Sequence, residues 1–553
     1  MIAAEEGTLL AACSAALRAA SPPLAESGTI RLHTLFSRPR PVRSLYPLAH
    51  VDIVSDAEPV STWLEHVVVT AAWKPAATGS ERLNYALELY VYTLPAQRAA
   101  LVYVSKLDTT GYGPASVPAR VRAHLPAPQK HAPSLTAVLT AGALEYFASR
   151  THWTASPTPV DHVSTHVLAR AQAAYLFPTS ETQGRKHVLS DTTLIRWWRA
   201  VLSDVVCRRR IVVPKERVDA YYVIPGYSRL DSHPLVPLVA PMANKNMPED
   251  RDGRAAMAQW VYGHPYTRRG AQTDDLPPLP LHAHVNETRF TSMPKCPALQ
   301  RRTIATLVPV FPDDPKGRFV DELCSLAHEP GKLIHIDAPG KRTTVEREVL
   351  SECTMLERTS PDGFWERLGF RQECNSGSAV GVFFVGTSAL DIPSSAASAT
   401  EGTVRKDGSD AEKKDVPATI PCDVPATSPG DATVKYRREA PAAQPYALPH
   451  PVLDDLLLKH VLQDACTWSE PTEAEALTRR LFEAVDRAQR RKSGAHDQSG
   501  ELAGYGRMWG YVGLEQTPAQ MITTAEAAAA HTTPAVREAN APNVLSVKRK
   551  KRS

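Results

Sequence analysis

The sequence predicts an α/β chain of the α+β kind, a central β-sheet surrounded by helices, and three observations carry that expectation. From Tyr85 the residues alternate, with Tyr85, Leu87, Leu89 and Val91 on one face. After a break at Leu94-Pro95-Ala96-Gln97, a second run from Ala99 to Ser105 sets Leu101 and Tyr103 against Val102 and Val104, so the pair reads as a hairpin. Ser378–Val385 is a short, strongly apolar run of the kind found in a buried strand. Two stretches instead follow the helical period: Ser134–Arg150, and one starting at the capping pair Ser190-Asp191 with Leu194, Trp198, Val201, Leu202 and Val205 on one stripe.

The other elements follow in order. Residues 4–20 are alanine-rich with leucines at helical spacing and predict a first helix; prolines at 22, 23, 39 and 41 then predict loop and short strand. The hairpin's second strand ends in Ser105–Pro114, whose small and glycine residues allow a ligand to approach closely. Helical signals continue from Val160 to Ala174, and residues 226–300 form a proline-rich stretch expected to be a long flexible loop. Leu333–Ile336 predicts a strand, and Thr343–Thr354 a helix. Residues 386–447 have the composition of a disordered insert. Helices are expected at His450–Ala465 and Pro471–Arg491, within a 448–515 segment that completes the 1–385 domain, and residues 516–553 as a disordered tail.

One corner stands apart. The apolar run Leu307–Phe311 leads into Pro312-Asp313-Asp314-Pro315-Lys316-Gly317-Arg318-Phe319. Pro315 holds Asp314 out of the helical region and suits the first position of a helix, so Asp314 reads as an N-cap. On residue types alone this is either a well-capped helix or a site built from two acids and two cations.

Composition bounds the function. A net charge of +4 on 553 residues does not mark the whole chain as a nucleic-acid binder, although Val547–Arg552 closes it with a basic run of the nuclear-localisation type. The eight cysteines show no metal-ligand spacing, so a reducing compartment and no metal are expected. No run approaches membrane-spanning length, and a soluble intracellular protein is expected. Walker, nucleophile-elbow and dinucleotide motifs are absent.

Seven segments occur in register with one family: Tyr103–Gly111, Ala169–Gln172, Tyr175–Pro178, Lys186–Leu189, Trp197-Trp198, Phe311–Lys316 and Phe370–Cys374. Together they resemble the fungal histone H3 lysine acetyltransferases, which act on new histones with histone chaperones and share the fold of CBP-type acetyltransferases. The resemblance covers about residues 100–385 and implies a mixed sheet, acetyl-CoA as co-substrate, a nuclear location and roles in chromatin assembly and the DNA damage response.

By position it implies that Leu107, Asp108, Thr109, Leu168, Gln172, His187, Val188, Leu189 and Trp197 line the acetyl-CoA groove. Arg120 and Arg122 become candidates for its phosphates, since a fork of donors suits a phosphate. Tyr175 and Trp198 would wall the lysine tunnel, and Asp108, Asp313 and Asp314 would be the acids on which activity depends. Lys316 would be an autoacetylated lysine, with Arg170 and Arg318 in support. Leu107, Leu168 and Ala173 depart from the family's Val or Ala, Phe and Pro. The expected partners are histone H3 in its H3–H4 complex and histone chaperones. A histone- or chaperone-binding module without catalysis is the alternative. A DNA-binding factor using the basic tail is a third reading, and it predicts steep salt dependence.

Overall fold

The computed structural model describes residues 7–236 apart from 21, 43–44, 46–61, 96–97 and 158. Beyond these it describes residues 254, 257–263, 308–312, 316–319, 332–337, 341–346, 361–369, 379–389, 440–462 except 445, 466–493 and 509–531.

The chain opens with helix α1, Leu9–Ala19, capped by the Thr8 hydroxyl on the Ala11 amide. Strands β1 (Gly28–Phe36), β2 (Arg40–Val42), β3 (Thr62–Pro75), β4 (Arg82–Leu94) and β5 (Ala99–Thr109) follow. Next come α2 (Leu135–Ala148), β6 (His162–Ala169), α3 (Asp191–Val212), β7 (Arg217–Val223) and β8 (Val261–Tyr262). A separate antiparallel pair, β9 (Lys332–Asp337) and β10 (Lys341–Glu346), precedes α4 (Pro361–Gly369) and β11 (Gly381–Ser388). The chain continues through α5 (His450–Leu457), a π-turn at Leu458–Leu462, α6 (Pro471–Ser493), β12 (Trp509–Leu514) and α7 (Ala519–His531).

Among the described residues ten strands form one sheet, in the order β12-β1-β3-β4-β5-β6-β11-β7-β8 with β2 beside β3. It is mixed, as expected: β5–β6 and β7–β8 are parallel and the other pairs antiparallel. Period-two geometry divides β4 and β5 between two layers. Tyr85, Leu87, Leu89 and Val91, with Val102 and Val104, enter the larger core, which α1, α2 and α3 cover. Tyr92, Leu101 and Tyr103 face the opposite side, where Phe311 packs, while α5 and α6 cover the adjoining core over Leu83 and Ala86.

Four expectations are corrected. Val160–Ala174, read as a helix, contains strand β6. Its run from His162 to Val167 alternates the β-branched Val163, Thr165 and Val167 with His and Ser and lies between β5 and β11, where pairing on both edges decides. Thr343–Thr354 begins as strand β10, paired with β9, and residues 347–360 lie outside the described residues. The supposed tail contains α7, whose Ile522 and Ala525 pack on Val117, Val121 and Leu125. Within the expected 226–300 loop, Arg229–Ser232 is a capped helical turn and Val261–Tyr262 a strand. Residues 264–300 and 390–439 lie outside the described residues.

Candidate active site

The site is set by how strand β5 ends. Its register against β4 shifts at Glu88/Leu89: Leu89 pairs with Val104 but Glu88 pairs with Lys106, leaving Ser105 as the extra residue of a bulge. The bulge reverses the alternation. Leu107 now faces the larger core beside Leu87, and Asp108 stands opposite Ala86 on the other face. Because β6 runs parallel to β5, from Ala99↔His162 to Val104↔Val167, the loops that leave both strands emerge at the same end of the sheet.

There the buried Asp108 carboxylate gathers the next loop. One oxygen, Oδ2, accepts the backbone N–H groups of Tyr175 (2.8 Å), Leu176 (3.0 Å) and Phe177 (3.2 Å). The other, Oδ1, accepts the Thr109 amide (2.8 Å) and the ammonium of Lys186 (2.7 Å). Lys186 Nζ also donates to Ser180 Oγ at 2.7 Å, and both members of the ion pair are buried. Five donors leave this anion satisfied, as a carboxylate taken out of water must be.

Gly111 permits the close approach. It has φ +88°, and a Cβ there would lie 2.7 Å from the Lys186 backbone nitrogen and 2.9 Å from its Cα. Gln183 spans the same gap, donating its side-chain amide to the Thr110 carbonyl.

A latch from the C-terminal helices closes the loop's far side. The Trp468 amide donates to Thr179 Oγ1 (3.1 Å) and to the Pro178 carbonyl (3.3 Å). Its indole is fully buried, edge-on to Phe177 with centroids 5.0 Å apart, and donates to the Val461 carbonyl at 3.2 Å. Tyr112 adds a bond from its hydroxyl to the Ser469 carbonyl at 2.8 Å.

Tyr175 is half-buried. Burial first, and the Asp108 anion second, push its phenol up to about 12, against a smaller pull from Arg170. The phenol stays protonated at neutral pH and can donate a hydrogen bond but not act as a base.

The remaining expected residues divide by exposure. Gln172, His187 and Val188 are exposed, and Leu107, Thr109, Leu168, Leu189 and Trp197 half-buried, so the strand ends keep an accessible surface with apolar side chains in it. Trp197 stands edge-on to Trp198 at 5.0 Å, whereas Trp198 is buried in the larger core with Ile195, Val201 and Leu202. Trp198 and Tyr175 thus belong to cores on opposite faces of the sheet. Arg120 is exposed, and the Arg122 guanidinium donates to the Lys130 and Ala132 carbonyls, which ties it to its own loop.

The Lys316 corner docks on the second face. Phe311 stacks on Tyr103 with centroids 4.3 Å apart and planes at 4°, and it touches His166 at 5.2 Å. The Lys316 ammonium lies 5.4 Å from the Phe311 ring centre and is buried, while Arg318 is exposed. Burial, with Lys316 adding to it, pushes His166 down to about 3. Residues 316–319 are helical, as expected for a helix begun at this corner; Asp313 and Asp314 lie outside the described residues.

Sequence reasoning left Lys186 without a role and missed Trp468. No local pattern joins Lys186 to Asp108 across 78 positions, or Trp468 to Thr179 across 289. The extended loop ending in glycine was the signal for the close approach at Gly111.

The ten-stranded mixed sheet flanked by helices has the CBP-like histone acetyltransferase fold. The crystal structure of Rtt109 from Aspergillus fumigatus has this fold, with a TM-score of 0.53 at 19% identity over 92% of this chain and 100% of that one. The model of the histone acetyltransferase KAT11-type domain matches residues 137–420, and the chain belongs to that family. Among curated proteins it is similar to histone acetyltransferase rtt109 of Aspergillus flavus, 27% identical over 349 residues, which are 59% of this chain and 49% of that protein. It is also similar to histone acetyltransferase rtt109 of Schizosaccharomyces pombe, 24% identical over 313 residues, 54% of this chain and 55% of that one. The match thus spans about half the length of each curated relative.

Proposed function

We propose that the chain is a histone lysine acetyltransferase that moves acetyl from acetyl-CoA to histone H3 in the H3–H4 complex, directed by histone chaperones in the nucleus. The observation that carries this reading is the Asp108 junction in a chain of this family. It fixes the Tyr175–Phe177 backbone beside the accessible ends of β5 and β6.

Leu107, Thr109, Leu168, Gln172, His187, Val188, Leu189 and Trp197 would receive acetyl-CoA. Arg120 is the better of the two phosphate candidates, since Arg122 is engaged by carbonyls. With its carboxylate saturated, Asp108 acts as a positioning residue that holds Tyr175, not as a base. The substrate amine, deprotonated, attacks the thioester carbonyl. The C–N bond forms, the C–S bond breaks, the thiolate leaves, and the amine's second proton passes to water. Tyr175 can hydrogen-bond the incoming group. Asp313, Asp314 and Trp198 are retained as proposed contributors to lysine binding, with Arg170 and Arg318 in support.

An acetyl-enzyme route has little support among the described cysteines. Cys13, Cys207 and Cys466 are buried, and burial pushes Cys13 and Cys207 up to about 12, far from the thiolate a nucleophile needs. Lys316, buried over Phe311, is proposed to be autoacetylated, as its place in the family motif implies.

The test is transfer of labelled acetyl from acetyl-CoA to an H3–H4 complex, with and without each chaperone. Label on H3 that rises with a chaperone supports the proposal. Firm H3–H4 binding with no transfer under any condition would leave the non-catalytic binding module.

A further inference from the structure

On the second face of the sheet, three potential metal ligands converge from distant parts of the chain. His66 on β3 is buried; His450 and Asp454 lie one turn apart on α5. His66 Nδ1 is 3.1 Å from Asp454 Oδ1, and His450 Nδ1 is 2.7 Å from Asp454 Oδ2. The two rings are 5.7 Å apart at 38°, and one donor atom from each residue falls within 4.8 Å of the other two.

Two further observations point to a ligand. His450 Nε2 is buried and has no hydrogen-bond partner. The far nitrogen of His66, Nε2, lies 3.0 Å from Glu88 Oε1. Glu88 is itself held by Ser105 Oγ (2.7 Å) and Lys106 Nζ (3.2 Å). A buried carboxylate behind a histidine is the outer partner that fixes ring orientation and basicity in metal sites.

We propose that His66, His450 and Asp454 bind one zinc ion, with Glu88 as the outer carboxylate. Two imidazoles and a carboxylate suit zinc and disfavour calcium or magnesium, which take oxygen ligands. The Asp454 side chain is 49% exposed, which gives solvent access to a fourth position. The ion would join the start of α5 to β3 and so support the helical layer that carries the Trp468 latch. This inference does not depend on acetyl transfer.

The experiment uses the full chain, stripped with a chelator and dialysed against zinc sulfate, with metal content and thermal unfolding measured. One equivalent of zinc and a higher unfolding midpoint are expected. Both should be lost in His450→Gln and Asp454→Asn, and Glu88→Gln should weaken binding about 10–100-fold. Cobalt(II) added to the wild-type chain should give the absorption of a nitrogen–oxygen site without thiolate bands, a readout that needs no variant. No stoichiometric zinc on the wild-type chain would overturn the proposal and leave an ion-pair network. Zinc retained equally by both variants would overturn it as adventitious binding to other histidines.

Discussion

Replacing Asp108 by Asn is the most searching perturbation of the junction, because it keeps shape and changes only charge and donor pattern. Whichever side-chain atom becomes the amide nitrogen then faces donors. At Oδ2 it meets three backbone N–H groups, and at Oδ1 it meets the Thr109 amide and the Lys186 ammonium. With the nitrogen at the Oδ1 position Lys186 keeps only Ser180 Oγ among these contacts, and in the other orientation it keeps a neutral carbonyl in place of the anion. Breaking a buried ion pair from one side costs about 3–5 kcal/mol. The five bonds share one anion, so their separate worths do not add. Because the loop can open without unfolding the sheet, most of that cost should appear locally. Amide exchange at Leu176 and Phe177 should accelerate by ~100-fold or more, with a smaller fall in global stability. Lys186→Met should be milder, since four N–H donors still hold the carboxylate. Unchanged exchange at these amides in Asp108→Asn would refute the account of Asp108 as the anchor.

Three further outcomes are expected. Trp468→Ala should cost about 3–5 kcal/mol by chemical denaturation and raise exchange at Ser180, whereas a loss of stability without local exchange would separate core packing from the latch. Acid should destabilise the chain through His166, whose imidazole is held down to about 3 in the fold against 6.5 outside it. This contribution is complete above the unfolded value and lost as pH falls from 6.5 toward 3, at about 1.4 kcal/mol per pH unit. Denaturation measured across that range should show a shallower slope in His166→Phe. At Lys316, acetyl transfer by Lys316→Gln should exceed that of Lys316→Arg by roughly tenfold, a difference of about 1.4 kcal/mol, and equal rates in the two would refute a role for charge removal.

What could be read from the sequence follows from what solvent does to each element. The β4–β5 hairpin was legible because its alternation separates two different cores, and α2 and α3 because Ser134 and Ser190 cap clear apolar runs. Strand β3 carries no alternation, since eleven of its fourteen residues, including Glu65 and His66, are buried between layers. Strand β6 was misread because its pairing with β5 on one edge and β11 on the other, which decides its conformation, has no signature in the local residues. Asp108, Tyr175 and the Lys186 segment were visible as motifs. Their joining was not, because it depends on a one-residue bulge at Ser105 and on a parallel pairing, neither of which has a local signature.

The Trp468 latch also has a consequence in time. Its contacts with Thr179 span 289 positions. At roughly 5–20 residues per second of synthesis, a ribosome delivers Trp468 on the order of 15–60 s after Thr179. A nascent chain can therefore pair β3, β4 and β5 while the loop beyond Asp108 lacks its far-side support. The site is completed late in translation, and pulse-labelled chains stalled before Trp468 should be cleaved by protease around 175–186 long after their sheet resists it.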